Sequence, residues 1–217
     1  MPQKKNFSWL LSALLVFLVI VPVAEDLGVI SARLMRVIMF TWLFVFGVWS
    51  LRGFGRFFHV GISFTLVGTA LSVIAANTTT VGYFYASFAA LYGFMLIVIW
   101  CTGKQVILGK DISANRVVGA ISLYLLLGAI WAVTYAVLEM LLPGSFTGFS
   151  EPIRQGWSSE WLYFSFVTMT TLGYGDLTPL SATAQTLAYM QAVFGQFYIA
   201  ILVAGLVSGY ITQQQRP

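Results

Sequence analysis

Long uncharged runs of apolar residues, separated by short polar segments, predict six membrane-spanning helices. The first run, Phe7 to Ala24, forms a helix of about 27 Å, enough to cross the hydrocarbon core of a bilayer. Residues 57–103 contain no acid, lysine or arginine, but they exceed one span and are divided by the polar turn Asn77-Thr78-Thr79-Thr80. The predicted spans are Phe7–Ala24, Leu34–Leu51, Phe57–Ala76, Val81–Cys101, Arg116–Leu142 and Ser181–Gln215.

The N-terminal run has a second interpretation, a cleaved signal peptide. Lys4 and Lys5 precede its apolar core, and the small residue Ala24 lies at its end. The run is long for the core of a signal peptide, however, and no Ala-x-Ala pattern precedes Glu25. We therefore predict that it remains as the first helix.

A shorter apolar segment lies between the fifth and sixth spans. Ser158-Ser159-Glu160 supplies the capping hydroxyls and the first-turn acid of a helix start. The segment that follows, Trp161 to Met169, is too short to cross a bilayer, so we predict a re-entrant helix. Next comes TTLGYGD, residues 170–176, in which two glycines flank a tyrosine. Because glycine adopts positive φ without steric cost, this strand can turn successive carbonyl oxygens to one side.

The residues from Thr168 to Asp176, with Thr178-Pro179 after them, resemble the selectivity filter of the potassium-channel pore family. The whole chain is similar to prokaryotic-type six-helix potassium channels that lack a charged voltage sensor. In that family, rings of carbonyl oxygens from four filter loops replace the water around K⁺. The resemblance implies that K⁺ binds the carbonyls of Thr171, Leu172, Gly173 and Tyr174 and the Thr171 hydroxyl, with Gly175 completing the filter.

The resemblance also implies residues that support the filter. Asp176 is expected to accept a hydrogen bond from Tyr163, at a position where many relatives carry tryptophan. The alternative is that Tyr163 and Phe164 form an aromatic layer that supports the filter by packing alone, without the hydrogen bond to Asp176. Thr170 and Val167 complete the predicted support, and because Val167 replaces a glutamate of some relatives, no carboxyl pair is expected there.

The predicted inner-helix gate consists of Gly195, Ala200 and Ala204. Gly195 stands where the family often has its gating glycine, and glycine loosens a helix by roughly 1 kcal/mol relative to alanine. Close packing against another helix is the alternative explanation for a glycine at this position.

Composition agrees with a membrane protein, since 59% of the residues are hydrophobic and only 8% are charged. A soluble domain has about 25% charged residues. The net charge of +4 does not indicate nucleic-acid binding, and no catalytic constellation of His, Ser or paired carboxylates predicts an enzyme. We expect no cofactor besides permeant K⁺.

The distribution of charge predicts the orientation of the chain. With six spans and cytoplasmic termini, eight of the eleven basic residues fall inside, in agreement with the positive-inside rule. The eight are Lys4, Lys5, Arg52, Arg56, Lys104, Lys110, Arg116 and Arg216. Arg33, Arg36 and Arg154 fall outside. We predict a multi-pass protein of the plasma membrane (a cytoplasmic or inner membrane), in contact with lipid.

Residues 1–104 are predicted to form a four-helix peripheral domain that resembles a voltage sensor without gating charges, and residues 105–217 the pore domain. Moving one elementary charge across the membrane contributes about 2.3 kcal/mol per 100 mV, so voltage sensing needs several basic residues on one helix. The fourth predicted span has no Arg or Lys. Arg33 and Arg36 are interpreted as snorkelling to the headgroups. His59 is either a pH sensor or an interfacial anchor.

These expectations describe an all-α membrane protein with six transmembrane helices, a re-entrant pore helix and a filter loop. A ring of carbonyls around the ion requires four copies, so we expect a homotetramer. The predicted function is passive, K⁺-selective conduction without intrinsic voltage gating. The alternatives are a non-conducting membrane scaffold or a K⁺ transporter subunit that reuses a filter-like loop.

Overall fold

Helices form most of the chain in the computed structural model, which describes residues 6–28, 32–51, 55–78, 80–108, 113–149 and 158–214. In chain order, the elements are α1 (Asn6–Asp26), α2 (Ala32–Ser50), α3 (Arg56–Asn77), α4 (Val81–Leu108), α5 (Ala114–Leu141), β1 (Phe146–Thr147), α6 (Glu160–Met169), β2 (Thr178–Pro179), α7 (Ala182–Phe197), a π-helical segment (Tyr198–Val203) and α8 (Ala204–Gln214).

Five helical stretches of the described residues are long and apolar enough to cross a membrane. They are Phe7–Asp26, Arg56–Asn77, Gly82–Leu108, Ala114–Leu141 and Ala182–Thr212. These stretches match five of the six predicted spans. The predicted second span is helical, as α2, but it is not among the five. Several basic residues used in the predicted orientation lie outside the described residues: the side chains of Arg33 and Arg36, and all of Lys4, Lys5, Arg52, Lys110, Arg154 and Arg216.

The predicted end of the fourth span at Cys101 is wrong, because α4 continues to Leu108 and includes Lys104. Its last turn is stabilised by Arg116, from the first turn of α5. The Arg116 guanidinium donates from Nε to the Val106 carbonyl at 2.6 Å and from Nη2 to the Ile107 carbonyl at 3.0 Å. A cation at a helix C-terminus satisfies free carbonyls and complements the helix dipole.

The last predicted span is also interrupted. It starts at Ser181 as predicted, and the Ser181 hydroxyl caps it by accepting from the Ala184 amide at 3.2 Å. Between Tyr198 and Val203, however, the backbone is π-helical, and the amide of Ala204 bonds to the Ile199 carbonyl five residues earlier. Short π segments in α-helices are often found at functional sites.

The chain divides into two units, one of residues up to 126 and from 206 onwards, the other of residues 127–205. In the first unit, helices α1 to α4 pack around an aromatic core in which Phe40 contacts Phe88 and Phe44 contacts Phe94, with ring centroids 5.2 and 4.9 Å apart. The domain boundary predicted after residue 104 stays a prediction.

The second unit contains the C-terminal part of α5 together with α6, α7 and a two-stranded sheet. Strands β1 and β2 are antiparallel, with Phe146 opposite Pro179. Phe146 also packs edge-on against Tyr135, Phe164 and Trp161 at centroid distances of 5.6, 5.4 and 5.2 Å. This aromatic cluster joins α5, β1 and α6, and so supports the loop that follows α6.

Candidate functional site

The short helix α6 begins and ends close to the predicted limits. The capping hydroxyl is that of Ser158, which accepts from the Glu160 amide at 3.1 Å, whereas Ser159 is already helical. At the other end, the Thr170 amide and hydroxyl both donate to the Phe166 carbonyl, at 2.9 and 2.7 Å. The predicted support residue Thr170 therefore closes the C-terminus of α6.

The loop after α6 has an alternating backbone. Positive φ occurs at Thr171 (60°), Gly173 (53°) and Gly175 (84°), with no positive φ at Leu172 or Tyr174. The sequence predicted this conformation at the glycines but not at Thr171, the only non-glycine residue with positive φ in the described part of the chain. Threonine adopts it at a steric cost, which the surrounding contacts must offset.

Those contacts come from the backbone of α6. The amides of Leu172 and Gly173 donate to the Val167 carbonyl at 2.9 and 3.4 Å, and the Thr171 amide donates to the Thr168 carbonyl at 3.0 Å. Three consecutive amides are thus bonded to the last turn of α6. Val167 is bonded to the loop through its carbonyl oxygen, and its role in supporting a filter stays a prediction.

The loop is exposed in the single chain. Leu172 is 54% exposed and Tyr174 is 69% exposed, although both side chains are apolar or aromatic. Clusters of large exposed apolar residues mark surfaces that contact another protein or a membrane.

The far end of the loop is tied to the middle of α6. The Tyr163 hydroxyl donates to Oδ2 of Asp176 at 2.6 Å, which is the hydrogen bond expected from the sequence. This bond raises the pKa of Tyr163 to about 12. It also lowers the pKa of Asp176 below its usual range, because the phenol stabilises the carboxylate.

Phe164 is buried, and its ring lies 4.9 Å from that of Tyr135, whereas Tyr163 is partly exposed. A role of Phe164 in supporting the loop stays a prediction.

The predicted gate residues lie at three different places. Gly195 is buried in α7, where a Cβ would lie 2.5 Å from the Met169 carbonyl oxygen. Ala200 is exposed in the π-helical segment, and Ala204 is the exposed first residue of α8. The geometry at Gly195 is that of close packing, while a gating role for the three residues stays a prediction.

Sequence reasoning missed two residues around β1, the strand that pairs with β2 after the loop. Glu139 is buried and accepts from the amides of Gly144 and Phe146, at 2.7 and 3.2 Å. Gly148 has a φ of 94° and lies so close to the Asp176 carbonyl that no side chain would fit. An acid near the end of an apolar helix was the available signal for Glu139.

Comparison with known proteins identifies the region that contains this loop. Residues 120–210 match the model of an ion channel family. Two pore potassium channel c of Oryza sativa subsp. japonica is 35% identical over 74 residues, 34% of this chain and 16% of the rice protein. Inward rectifier potassium channel Kirbac3.1 of Paramagnetospirillum magnetotacticum is 34% identical over 95 residues, 42% of this chain and 28% of that protein.

A third relative, two-pore potassium channel 3 of Arabidopsis thaliana, is 43% identical over 54 residues, 25% of this chain and 12% of its own length. The chain thus spans less than a third of each of these relatives. No solved structure matches it. The aligned regions, the filter-like loop and the apolar helices point to a multi-pass membrane channel rather than an enzyme. Through residues 120–210, this chain is similar to the ion channel family and to the pore-containing regions of known potassium channels.

Proposed function

We propose that four copies of this chain form a K⁺-selective channel through which the ion passes down its gradient. The observation that carries the proposal is the alternation of positive φ at Thr171, Gly173 and Gly175. Residues that alternate between positive and non-positive φ can turn successive carbonyls to the same side of an extended segment. Such a strand offers a column of oxygens that can take the place of water around a cation.

One chain offers these oxygens from one side only, so a dehydrated ion needs further copies around it. Fourfold cyclic symmetry brings four equivalent loops to one axis. The exposure of Leu172 and Tyr174 in the single chain supports burial of the loop in such an assembly. In this arrangement, K⁺ is coordinated by the carbonyls of 171–174 and by the Thr171 hydroxyl.

The pore helix in this proposal is α6, which re-enters the membrane without crossing it. It ends at Met169, directly before the loop. The C-terminal end of a helix carries a partial negative charge, which favours a cation close by. The names of the relatives, all potassium channels, support K⁺ as the permeant ion.

Residues 1–104 form the peripheral domain in this proposal, and both termini are cytoplasmic. We propose that this domain confers little voltage dependence. The extension of α4 adds one basic residue, Lys104, near its end. One charge supplies about 2.3 kcal/mol per 100 mV, whereas steep gating needs several. A conductance of the purified channel that changes steeply with voltage would contradict this.

The function is tested by ion flux into liposomes that contain the purified protein. Potassium should enter much faster than sodium, and Tyr174→Asp should abolish the difference. The matched control is Tyr174→Phe, which keeps the ring and the backbone and should keep the preference. Equal fluxes of the two ions through the wild-type protein would overturn the proposal. A membrane scaffold would show no flux, and its function would survive Tyr174→Asp.

The assembly is tested separately by light scattering of the protein in detergent, with the detergent mass subtracted. A mass of four chains is expected. A monomer that still conducts K⁺ selectively would overturn the tetramer.

A further inference from the structure

Three polar side chains meet in the apolar interior of the second unit. Tyr135 of α5, Ser165 of α6 and Gln191 of α7 are each completely buried. The residues lie far apart in the sequence, and none belongs to the filter loop. A buried amide costs a few kcal/mol unless its donors and acceptor are paired, so the group must form hydrogen bonds.

The hydrogen bonds form a continuous chain across three helices. The Tyr135 hydroxyl donates to Oε1 of Gln191 at 2.5 Å. Nε2 of Gln191 donates to the Ser165 hydroxyl at 2.8 Å and to the Ser165 carbonyl at 3.1 Å. The Ser165 hydroxyl in turn donates to the Gly128 carbonyl at 2.7 Å. Gln191 is the central member, because it uses both ends of its amide group.

Gln191 also lies in the row of α7 that packs against α6. Gly195, one helical turn later, contacts Met169, which lies one helical turn after Ser165. The two helices therefore meet at two levels, through hydrogen bonds at Gln191 and through a close backbone approach at Gly195. Together these contacts hold α6 in one position along α7.

The position of α6 matters for the loop that follows it. Val167, whose carbonyl accepts from the amides of Leu172 and Gly173, lies two residues after Ser165. A shift or rotation of α6 moves this carbonyl and with it the backbone of the loop. Contacts at Ser165 therefore act on the geometry of the proposed K⁺ site without touching the ion.

We propose that Gln191 is a positioning residue for ion selectivity: it holds α6 against α5 and α7 so that the loop keeps the spacing that fits K⁺. This inference rests on the proposed function. Small displacements of carbonyl oxygens change the balance between K⁺ and the smaller Na⁺, because the oxygens replace a hydration shell of defined size. Loss of Gln191 then lowers selectivity even where the protein still folds and assembles.

The test compares K⁺ and Na⁺ fluxes in liposomes, at equal amounts of assembled protein, for Gln191→Leu and Tyr135→Phe. The K⁺/Na⁺ flux ratio should fall about tenfold in Gln191→Leu and about fivefold in Tyr135→Phe, on the scale of a lost buried hydrogen bond. The control is Tyr189→Phe, which removes a phenol hydroxyl from an exposed position on α7 and should leave the ratio unchanged. A purely structural role would lower yield and thermal stability but not the ratio.

A mutant cycle tests whether the three residues act together. Tyr135 and Ser165 both bond to Gln191, so Tyr135→Phe should have no further effect on the ratio in a Gln191→Leu background. Additive effects overturn the proposal, as does an unchanged ratio in Gln191→Leu. If Gln191→Leu does not assemble, the proposal is tested with Tyr135→Phe and Ser165→Ala instead. Unchanged K⁺/Na⁺ flux ratios in both of these variants overturn the proposal.

The same measurement separates this inference from the proposed function. A wild-type protein that does not prefer K⁺ contradicts the channel itself. A wild-type protein that prefers K⁺, with variants that keep the preference, contradicts only the role of Gln191.

Discussion

The hydroxyl of Tyr163 donates a 2.6 Å hydrogen bond to the Asp176 carboxylate, and so connects the middle of α6 to the residue directly after the loop. The beginning of the loop is bonded to the same helix through the Val167 carbonyl. Both ends of the five-residue loop 171–175 are therefore attached to α6. A short loop held at both ends can keep the positive φ of Thr171, which a free threonine rarely adopts.

Tyr163→Phe removes the outer attachment but keeps the ring. We expect a loop that collapses more readily, so potassium currents through the proposed channel in planar bilayers should decay several times faster than with the wild-type protein. Tyr163→Trp is the matched control, because its indole N–H can still donate to Asp176. Ion occupancy and current decay that do not change in Tyr163→Phe would leave Tyr163 with a packing role only.

The hydrogen bond from Tyr163 to Asp176 predicts that the attachment of the loop is stable over a wide pH range. It requires a neutral phenol and an ionised carboxylate. The pKa of Asp176 is lowered from 3.8, so its stabilising effect is present above that value and lost as the pH falls through the lowered pKa. The pKa of Tyr163 is raised from 10.0 to about 12, so its effect is complete below 10.0 and lost as the pH rises through about 12.

We therefore expect the current decay rate to stay constant from about pH 5 to about pH 9. The phenol can be followed directly as the difference in ultraviolet absorbance between titrations of the wild-type protein and of Tyr163→Phe. The difference should show a midpoint near 12. A midpoint at the ordinary tyrosine value would mean that the hydrogen bond is absent in solution.

Gly195→Ala separates the two interpretations of this glycine. The added Cβ would lie 2.5 Å from the Met169 carbonyl oxygen, so we expect a loss of about 1–3 kcal/mol in the free energy of unfolding. Gly205→Ala is the control, since a Cβ there meets no atom of the chain within 4 Å. It should be neutral or stabilising by up to about 1 kcal/mol through helix propensity.

Unfolding of both variants can be measured by circular dichroism in detergent micelles. If Gly195 served only as a flexible hinge, both substitutions would stabilise the helix alike. Equal stabilisation would therefore contradict the packing role.

Glu139→Gln tests the turn beyond α5. Each carboxylate oxygen of Glu139 accepts one backbone amide, from Gly144 and from Phe146. Glutamine replaces one acceptor by an NH₂ group, which leaves a backbone donor unpaired. We expect the free energy of unfolding to fall by about 1–3 kcal/mol.

The measurement is again unfolding in micelles, with Asp26→Asn as an exposed acid for comparison. Equal stability of Glu139→Gln and the wild-type protein would show that the turn does not depend on this carboxylate.

Features with local causes could be predicted from the sequence. The length of each apolar run sets the length of a helix, and so α1, α3 and α5 begin and end within two residues of their predicted limits. Glycine is the residue that adopts positive φ freely, and so the alternation at Gly173 and Gly175 followed from their spacing alone. The hydrogen bond from Tyr163 to Asp176 came from the resemblance and its chemistry.

The features that the sequence could not show depend on partners distant in the chain. α4 extends to Leu108 because Arg116 stabilises its end, and a propensity pattern contains no sign of that contact. Thr171 has positive φ because α6 holds its neighbours. Gln191 looks like an ordinary polar residue in an apolar helix until Tyr135 and Ser165 are placed beside it. Hydrogen bonds between helices depend on how the helices pack, and only the tertiary structure decides that.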